Sequence, residues 1–200
     1  MAKRLLDILL SGFGLLASSP VWLSAAVAIK LEDGGPVFYR QERVGQWGRP
    51  FDALKFRSMR PDAEARTGAV QAIEDDPRVT RIGRLMRATA MDELPQLWNI
   101  FRGQMSFVGP RALRPGEIES DGGRLVRLED VPGFEHRMTV RPGLTGIAQI
   151  YAPRDVPQRQ KFRYDRLYVA KRTWLLDVRL ILLSFWISVL GRWEARGKKY

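Results

Sequence analysis

Asp92 and Glu93 stand side by side in Asp92-Glu93-Leu94-Pro95-Gln96-Leu97, with Arg87 upstream and Val108-Gly109-Pro110-Arg111 downstream. Two acids flanked by arginines form an anion-handling arrangement with a candidate nucleophile or metal ligand inside it. Neighbouring residues on a helix point about 100° apart, so the two acids need not share one job. One could attack phosphorus while the other holds a divalent cation. Mg²⁺ suits such a place, because it takes one or two carboxylates and completes its shell with substrate phosphates. Arg87, Arg111 and Arg141 are candidates for neutralising those phosphates, since the guanidinium fork matches phosphate oxygens. A carboxylate that forms an acyl-phosphate is an established form of covalent catalysis. Adjacent acids alone are a weak signal, as most such pairs are simply solvated.

Composition narrows the chemistry. The 200 residues contain no cysteine and a single histidine, His136. Thiolate chemistry, disulfides and a multi-histidine metal site are therefore excluded, and a Ser-His-Asp triad is disfavoured. Catalysis must rest on carboxylates, Lys/Arg, hydroxyls or a hard metal bound through oxygen. The net charge of +11 suits nucleic acid, anionic lipid or phosphorylated substrates. Six tryptophans and two apolar segments favour the lipid surface. No groove-reading motif for nucleic acid is present.

Those residues must be positioned, and the first element is apolar. As a straight helix, residues 5–29 would reach roughly 37 Å, enough for a hydrocarbon core of about 30 Å. Pro20 removes the bond to the Leu16 carbonyl and forces a break, which the Ser18 and Ser19 hydroxyls could relieve. Lys3 and Arg4 precede the segment, and Lys30, Arg40 and Arg43 follow it. Basic charge at both ends puts both on the cytoplasmic side. A re-entrant helix–break–helix satisfies both facts better than a spanning helix or a cleaved signal peptide. Asp7 is costly in lipid unless paired. Its partner is either Lys3/Arg4 or a basic residue of the globular part.

Beyond a turn at Asp33-Gly34-Gly35-Pro36, residues 37–43 and 51–59 read as a hairpin. Residues 61–76 read as a mobile loop with some helix. A short helix carries Ile82, Leu85 and Met86 on one face and Arg78, Arg81, Arg84 and Arg87 on the others. That basic surface is either solvated and headgroup-facing or, at Arg87, phosphate-binding. A second helix is expected to start with Asp92 at or near its N-cap and Pro95 in its first turn, where anions are favoured. Its apolar residues are Leu94, Leu97, Trp98 and Phe101. Residues 140–147 read as a rigid turn and 158–172 as a basic, aromatic helix. Residues 175–190 read as an interfacial amphipathic helix, followed by a tail bearing Arg192, Arg196, Lys198 and Lys199 that suits anionic headgroups.

Across residues 3–190 the chain resembles the bacterial sugar transferases, the monotopic phosphoglycosyl transferases. The matching pieces are Lys3-Arg4 with Asp7, Ser19-Pro20, Gly35-Pro36-Val37-Phe38, Gln41-Glu42-Arg43-Val44-Gly45, Lys55-Phe56-Arg57-Ser58-Met59, Asp76-Pro77-Arg78-Val79-Thr80, Gly83-Arg84, Asp92 through Leu97, Val108 through Arg111, and Arg141-Pro142-Gly143-Leu144-Thr145-Gly146. The resemblance implies that Asp92 attacks the β-phosphate of a UDP-sugar and that undecaprenyl phosphate then accepts the phosphosugar. It implies Mg²⁺ at Glu93 with Asp92, phosphate contacts from Arg87 and Arg111, and a pocket organised by Lys55, Arg57 and Asp165. Asp7 and Ser19-Pro20 would set the anchor geometry. Two positions depart from the family pattern: Ala112 where proline follows Gly-Pro-Arg, and Ile147 where an aromatic follows Thr-Gly. The extra four-helix membrane region of larger relatives is not in this sequence.

The expected architecture is α+β and mainly helical. It has a re-entrant amino-terminal membrane helix (1–32) broken at Ser19-Pro20, then a compact cytoplasmic catalytic domain (33–172) holding a short β-hairpin. An interfacial helix and basic tail (173–200) complete it. The expected place is the cytoplasmic face of the bacterial inner membrane, with UDP-sugar, undecaprenyl phosphate and anionic lipids as partners and no nucleic acid. The sugar and a homodimer are left open. The rival reading is a non-catalytic basic membrane-surface adaptor. Within the enzyme reading, direct ternary-complex transfer competes with the covalent route.

Overall fold

Serine and proline bend the amino-terminal segment as its composition requires. In a computed structural model that describes residues 2–63, 76–121, 124–153 and 156–193, helix α1 (Ala2–Ala17) and helix α2 (Ser19–Asp33) meet at 56°. The Ser19 hydroxyl donates to the Leu16 carbonyl at 2.8 Å, the group that Pro20 leaves without its helical donor. Trp22 Nε1 donates to Ser18 Oγ at 3.0 Å. Among the described residues no single helix is long and apolar enough to cross a membrane, though the bent pair meets that test together. Gly34 ends α2 with φ of 71°, a left-handed cap that glycine adopts without strain.

The hairpin is present. Strand β1 (Phe38–Val44) pairs antiparallel with β2 (Pro50–Phe56), with Tyr39 opposite Lys55 and Arg43 opposite Phe51. Residues opposite each other share a face, so Tyr39, Gln41, Arg43 and Lys55 project together. Helix α3 (Arg81–Ala88) starts on a Thr80 cap, whose hydroxyl accepts from Gly83 N at 3.0 Å. Met86 on it is buried, but Leu85 is 62% exposed, so the expected three-residue apolar face is reduced. Helix α4 (Gln96–Phe101) buries Leu97 and Ile100, while Trp98 and Phe101 stack on each other in a half-exposed position.

Residues 140–147 are more than a turn. Strand β6 (Gly143–Thr145) pairs in parallel with β3 (Ser106–Val108). A third two-stranded unit joins β4 (Ile118–Asp121) to β5 (Arg124–Arg127). Short helices α5 (Phe134–Arg137) and α6 (Ile147–Tyr151) precede the long α7 (Gln158–Lys171) and α8 (Trp174–Val189). Helix α8 turns Asp177, Leu180 and Ile187 inward and exposes Leu175, Leu182, Phe185, Trp186 and Val189. Its free face is largely apolar with Arg179 exposed on the same helix, while the charge of Asp177 lies on the buried side. About half of the chain is helical, and among the described residues it is mixed with three small sheets rather than a single hairpin. Most of the expected loop at 61–76 and most of the basic tail lie outside the described residues.

The core is assembled in patches. Phe51, Ala53, Leu97, Ile100 and Met105 pack beside α1, and Val108, Val140, Ile150, Tyr168, Leu180 and Ile187 pack under α8. Each fully buried aliphatic side chain contributes about 1.5–3 kcal/mol. Together these patches fix β3 and the hairpin, which carry the site.

Candidate active site

The acidic pair is held by a tight turn between two helices. Helix α3 ends at Ala88, and Ala90 takes φ of 57°, an uncommon left-handed conformation outside glycine. The chain reverses there, makes one 3₁₀ turn over Met91–Glu93, and reaches α4 with Pro95 at its cap. Asp92 therefore lies one turn before α4, near its N-cap rather than at it. Proline fixes the start of α4 just after the acids, because it has no N–H to continue a preceding turn.

Asp92 and Glu93 line one cavity of about 1050 Å³ together with Lys55, Arg57, Arg87 and Arg111. Lys55 from β2 forms an ion pair with Glu93. The two acids are pushed in opposite directions. Burial, joined by the negative charge of Glu93, pushes the Asp92 carboxyl up to about 6 against the pull of Lys55 and Arg87. Burial also opposes the charge on Glu93, but Lys55, Arg111 and Arg43 outweigh it and hold that carboxyl below its ordinary value. Acids separated in this way suit separate roles.

Arg43 is a site residue that reasoning on the sequence missed, having been read only as flanking charge and part of a motif. It is buried in the hairpin, donates to the Ala112 carbonyl at 2.8 Å and contacts the Gln41 side chain. Burial, with Arg111 and Arg114 nearby, lowers its pKa to about 10. Strand alternation combined with the hairpin register would have placed it on the same face of the hairpin as Lys55. Arg137 was missed as well. Its Nε donates to Asp165 at 2.9 Å and its Nη2 to the Arg111 carbonyl at 2.5 Å, with the guanidinium stacked over Phe162. Burial raises the pKa of Asp165 despite that partner. Asp165 thus reaches the site through Arg137, which anchors the backbone of Arg111.

Arg141 does not line the cavity, so the geometry lends its expected phosphate contact no support. Its segment works through the backbone instead. A Cβ on Gly143 would lie 2.0 Å from Gly109 N, and one on Gly109 would lie 2.4 Å from the Arg141 carbonyl. Glycine at both places lets the two chains touch and fixes the turn that delivers Arg111. Ala112 sits in the core beside this turn, and Ile147 opens α6.

Among the described residues, Asp7 pairs with no basic residue. It accepts from Ser106 Oγ and from Phe107 N, each at 3.0 Å, at the start of β3. Lys3 takes the ionic role, reaching Asp177 at 2.7 Å and the Val108 carbonyl at 3.1 Å. Tyr168 also donates to Asp177, at 2.8 Å. The amino-terminal helix is thus bonded to both ends of β3.

Among the described residues no group of three or more His, Cys, Asp or Glu gathers to cage a metal. The Asp92-Glu93 pair fits Mg²⁺ in the other manner, with two carboxylates and the remaining positions left to phosphate and water.

The bacterial sugar transferase family model matches residues 1–191. The chain is 40% identical over 184 residues to the exopolysaccharide production protein PSS of Rhizobium leguminosarum bv. phaseoli, covering 90% of each. It is 36% identical over 197 residues to the UDP-glucose:undecaprenyl-phosphate glucose-1-phosphate transferase of Xanthomonas campestris pv. campestris, covering 96% of this chain and 39% of that one. It is 46% identical over 136 residues to a putative undecaprenyl-phosphate N-acetylgalactosaminyl 1-phosphate transferase of Bacillus subtilis (strain 168), covering 68% of this chain and 72% of that one.

Proposed function

The chain belongs to the bacterial sugar transferase family, and from that premise we propose that it moves a sugar-1-phosphate from a UDP-sugar to undecaprenyl phosphate. The products are polyprenyl-diphosphate-sugar and UMP. The observation that carries this reading is the buried Asp92 beside an ionised Glu93, ringed by Lys55, Arg43, Arg87 and Arg111 in one cavity. Part of that cavity is walled by Leu10, Ala17 and Val21 of the bent helices and by Ile181 and Phe185 of α8. One space therefore offers charge for a diphosphate and apolar surface for an isoprenoid.

In this mechanism an oxygen of ionised Asp92 attacks the β-phosphorus of the UDP-sugar. A bond from Asp92 to phosphorus forms, the bond to the bridging oxygen breaks, and UMP leaves with that oxygen. A phosphate oxygen of the acceptor then attacks the same phosphorus and displaces the carboxylate, regenerating Asp92. Arg111, held through Arg137, and Lys55 lie where the charge of the diphosphate must be met. Glu93, with Asp92 beside it, would hold Mg²⁺, whose contribution is to neutralise the phosphates as they part. The apolar bend and the free face of α8 would lie at the cytoplasmic face of a bacterial membrane, with basic charge toward anionic lipid.

The test is UMP release from a panel of UDP-sugars with undecaprenyl phosphate and Mg²⁺. Asp92→Asn should reduce release by a factor of about 10³ or more, as loss of a covalent nucleophile does. Equal rates for parent and variant would sink the assignment. Radiolabelled phosphosugar trapped on the protein separates the covalent route from direct transfer.

A further inference from the structure

Arg57 is 7% exposed, and two of its nitrogens, Nε and Nη1, are buried without a hydrogen-bond partner. Its third nitrogen, Nη2, pairs with Asp33 at the end of α2. Buried donors are seldom left unmade, because each one forfeits its water. The chain also makes room for this guanidinium: a Cβ on Gly35 would fall 1.7 Å from Nη1. Arg57 forms part of the wall of the cavity that Ala17 and Val21 of the bend and Phe38 also line.

Its position separates it from the charges around Glu93. Arg57 continues the hairpin ladder, with its N–H on the Val37 carbonyl at 2.9 Å. It follows Lys55 by two residues, so the two cations project on the same side roughly 6–7 Å apart along the strand. Lys55 pairs with Glu93, with Arg43 and Arg111 around the same carboxylate, so it belongs to the acidic end of the cavity. Arg57 instead faces the anchor. A nucleotide sugar is polar throughout, whereas a charge beside an apolar wall suits a phosphate carried on a hydrocarbon chain.

We propose that Arg57 receives the phosphate of the lipid acceptor, exchanging its resting partner Asp33 for it, while Lys55 and Arg111 serve the donor diphosphate. This rests on the transferase reading above and divides its cavity into two phosphate subsites. The Asp33 side chain is 24% exposed, so solvent reaches the acid side of this pair while the guanidinium is buried.

The test uses the full chain in nanodiscs of zwitterionic lipid, reading UMP release while undecaprenyl phosphate and the UDP-sugar are varied in turn. Arg57→Gln is expected to raise the acceptor KM about ten-fold or more and the donor KM by less than about two-fold. Asp33→Asn, on the exposed end of α2, is expected to lower the acceptor KM. Equal rises in both constants, or a rise for the donor alone, overturn the assignment. So does an acceptor KM that Asp33→Asn leaves in place, and this second variant decides the matter if Arg57→Gln fails to fold. A bilayer phosphodiester offers similar chemistry, so phosphatidylglycerol is added in a further arm. Competition with the acceptor in the parent that vanishes in Arg57→Gln would make Arg57 a headgroup site and overturn the proposal. A parent that releases no UMP from any UDP-sugar refutes the transferase reading instead. Retention of radiolabelled undecaprenyl phosphate by parent and Arg57→Gln then still tests the subsite.

Discussion

A carboxylate that attacks phosphorus must be ionised, yet Asp92 is placed where ionisation is disfavoured. Burial and Glu93 push it up to about 6, while Lys55 and Arg87 keep it from rising further. The rate at low donor concentration should therefore fall as pH drops through about 6, with a limb of unit slope that a pH–rate profile would show. Stability should run the other way. A folded pKa raised above the unfolded value means that the folded protein is favoured while Asp92 is protonated, and that this advantage is lost as pH rises through about 6. Asp92→Asn removes the penalty, so it should gain on the order of 2–3 kcal/mol at pH 7.5, fading to nothing below the unfolded carboxylate range. Thermal unfolding of parent and variant across that range measures it. A variant less stable than the parent at pH 7.5 would show that Asp92 is stabilised as the anion.

Helix α1 is bonded to β3, the strand that leads into the turn carrying Arg111. Asp7 accepts from Ser106 and Phe107, and β3 leads directly to Gly109, Pro110 and Arg111. Asp7→Ala leaves the buried Ser106 hydroxyl and the part-buried Phe107 N–H without an acceptor and should cost about 1–3 kcal/mol. The unfolding midpoint should drop, and UMP release should fall even at temperatures where the variant is folded, because Arg111 is less well held. A lower midpoint with unchanged turnover would confine Asp7 to stability. Several elements here were legible in advance. The hairpin follows from its alternation and turn residues, and the break from Ser18-Ser19-Pro20. The start of α4 was placed early because nothing in Thr89-Ala90-Met91 announces a left-handed residue. Strand β6 was read as a turn because its three residues form a strand only by pairing with β3.

The bent pair α1–α2 is compatible with either a broken span or a re-entrant loop. The proposed re-entrant anchor can be tested with single cysteines, since the chain has none of its own. Ala2→Cys and Arg49→Cys, both at exposed positions, should react with an impermeant maleimide in inverted vesicles and resist it in spheroplasts. Reaction at position 2 only from the outer side would show that α1 and α2 cross as one span. Pro20→Leu restores a continuous helical hydrogen-bond pattern and should move labelling at Ala2→Cys toward that outcome.

Residue types and their order were enough to limit any catalysis to carboxylates, Lys/Arg, hydroxyls or a hard metal bound through oxygen, to single out the Asp92-Glu93 pair, and to mark the bend and the hairpin. These are local properties, set by backbone sterics, strand alternation and the absence of cysteine. Other features come from contacts between residues far apart in the chain. They include Arg43 and Lys55 meeting at Glu93, Arg137 holding the Arg111 carbonyl, and Lys3 reaching Asp177 across 174 positions. The opposite shifts of Asp92 and Glu93 belong with these, because a pKa responds to burial and to neighbouring charge in space. Arg57 spans both kinds. Its cation can be read from the chain, but its buried, unpartnered nitrogens exist only after α2, Gly35 and the hairpin close around it.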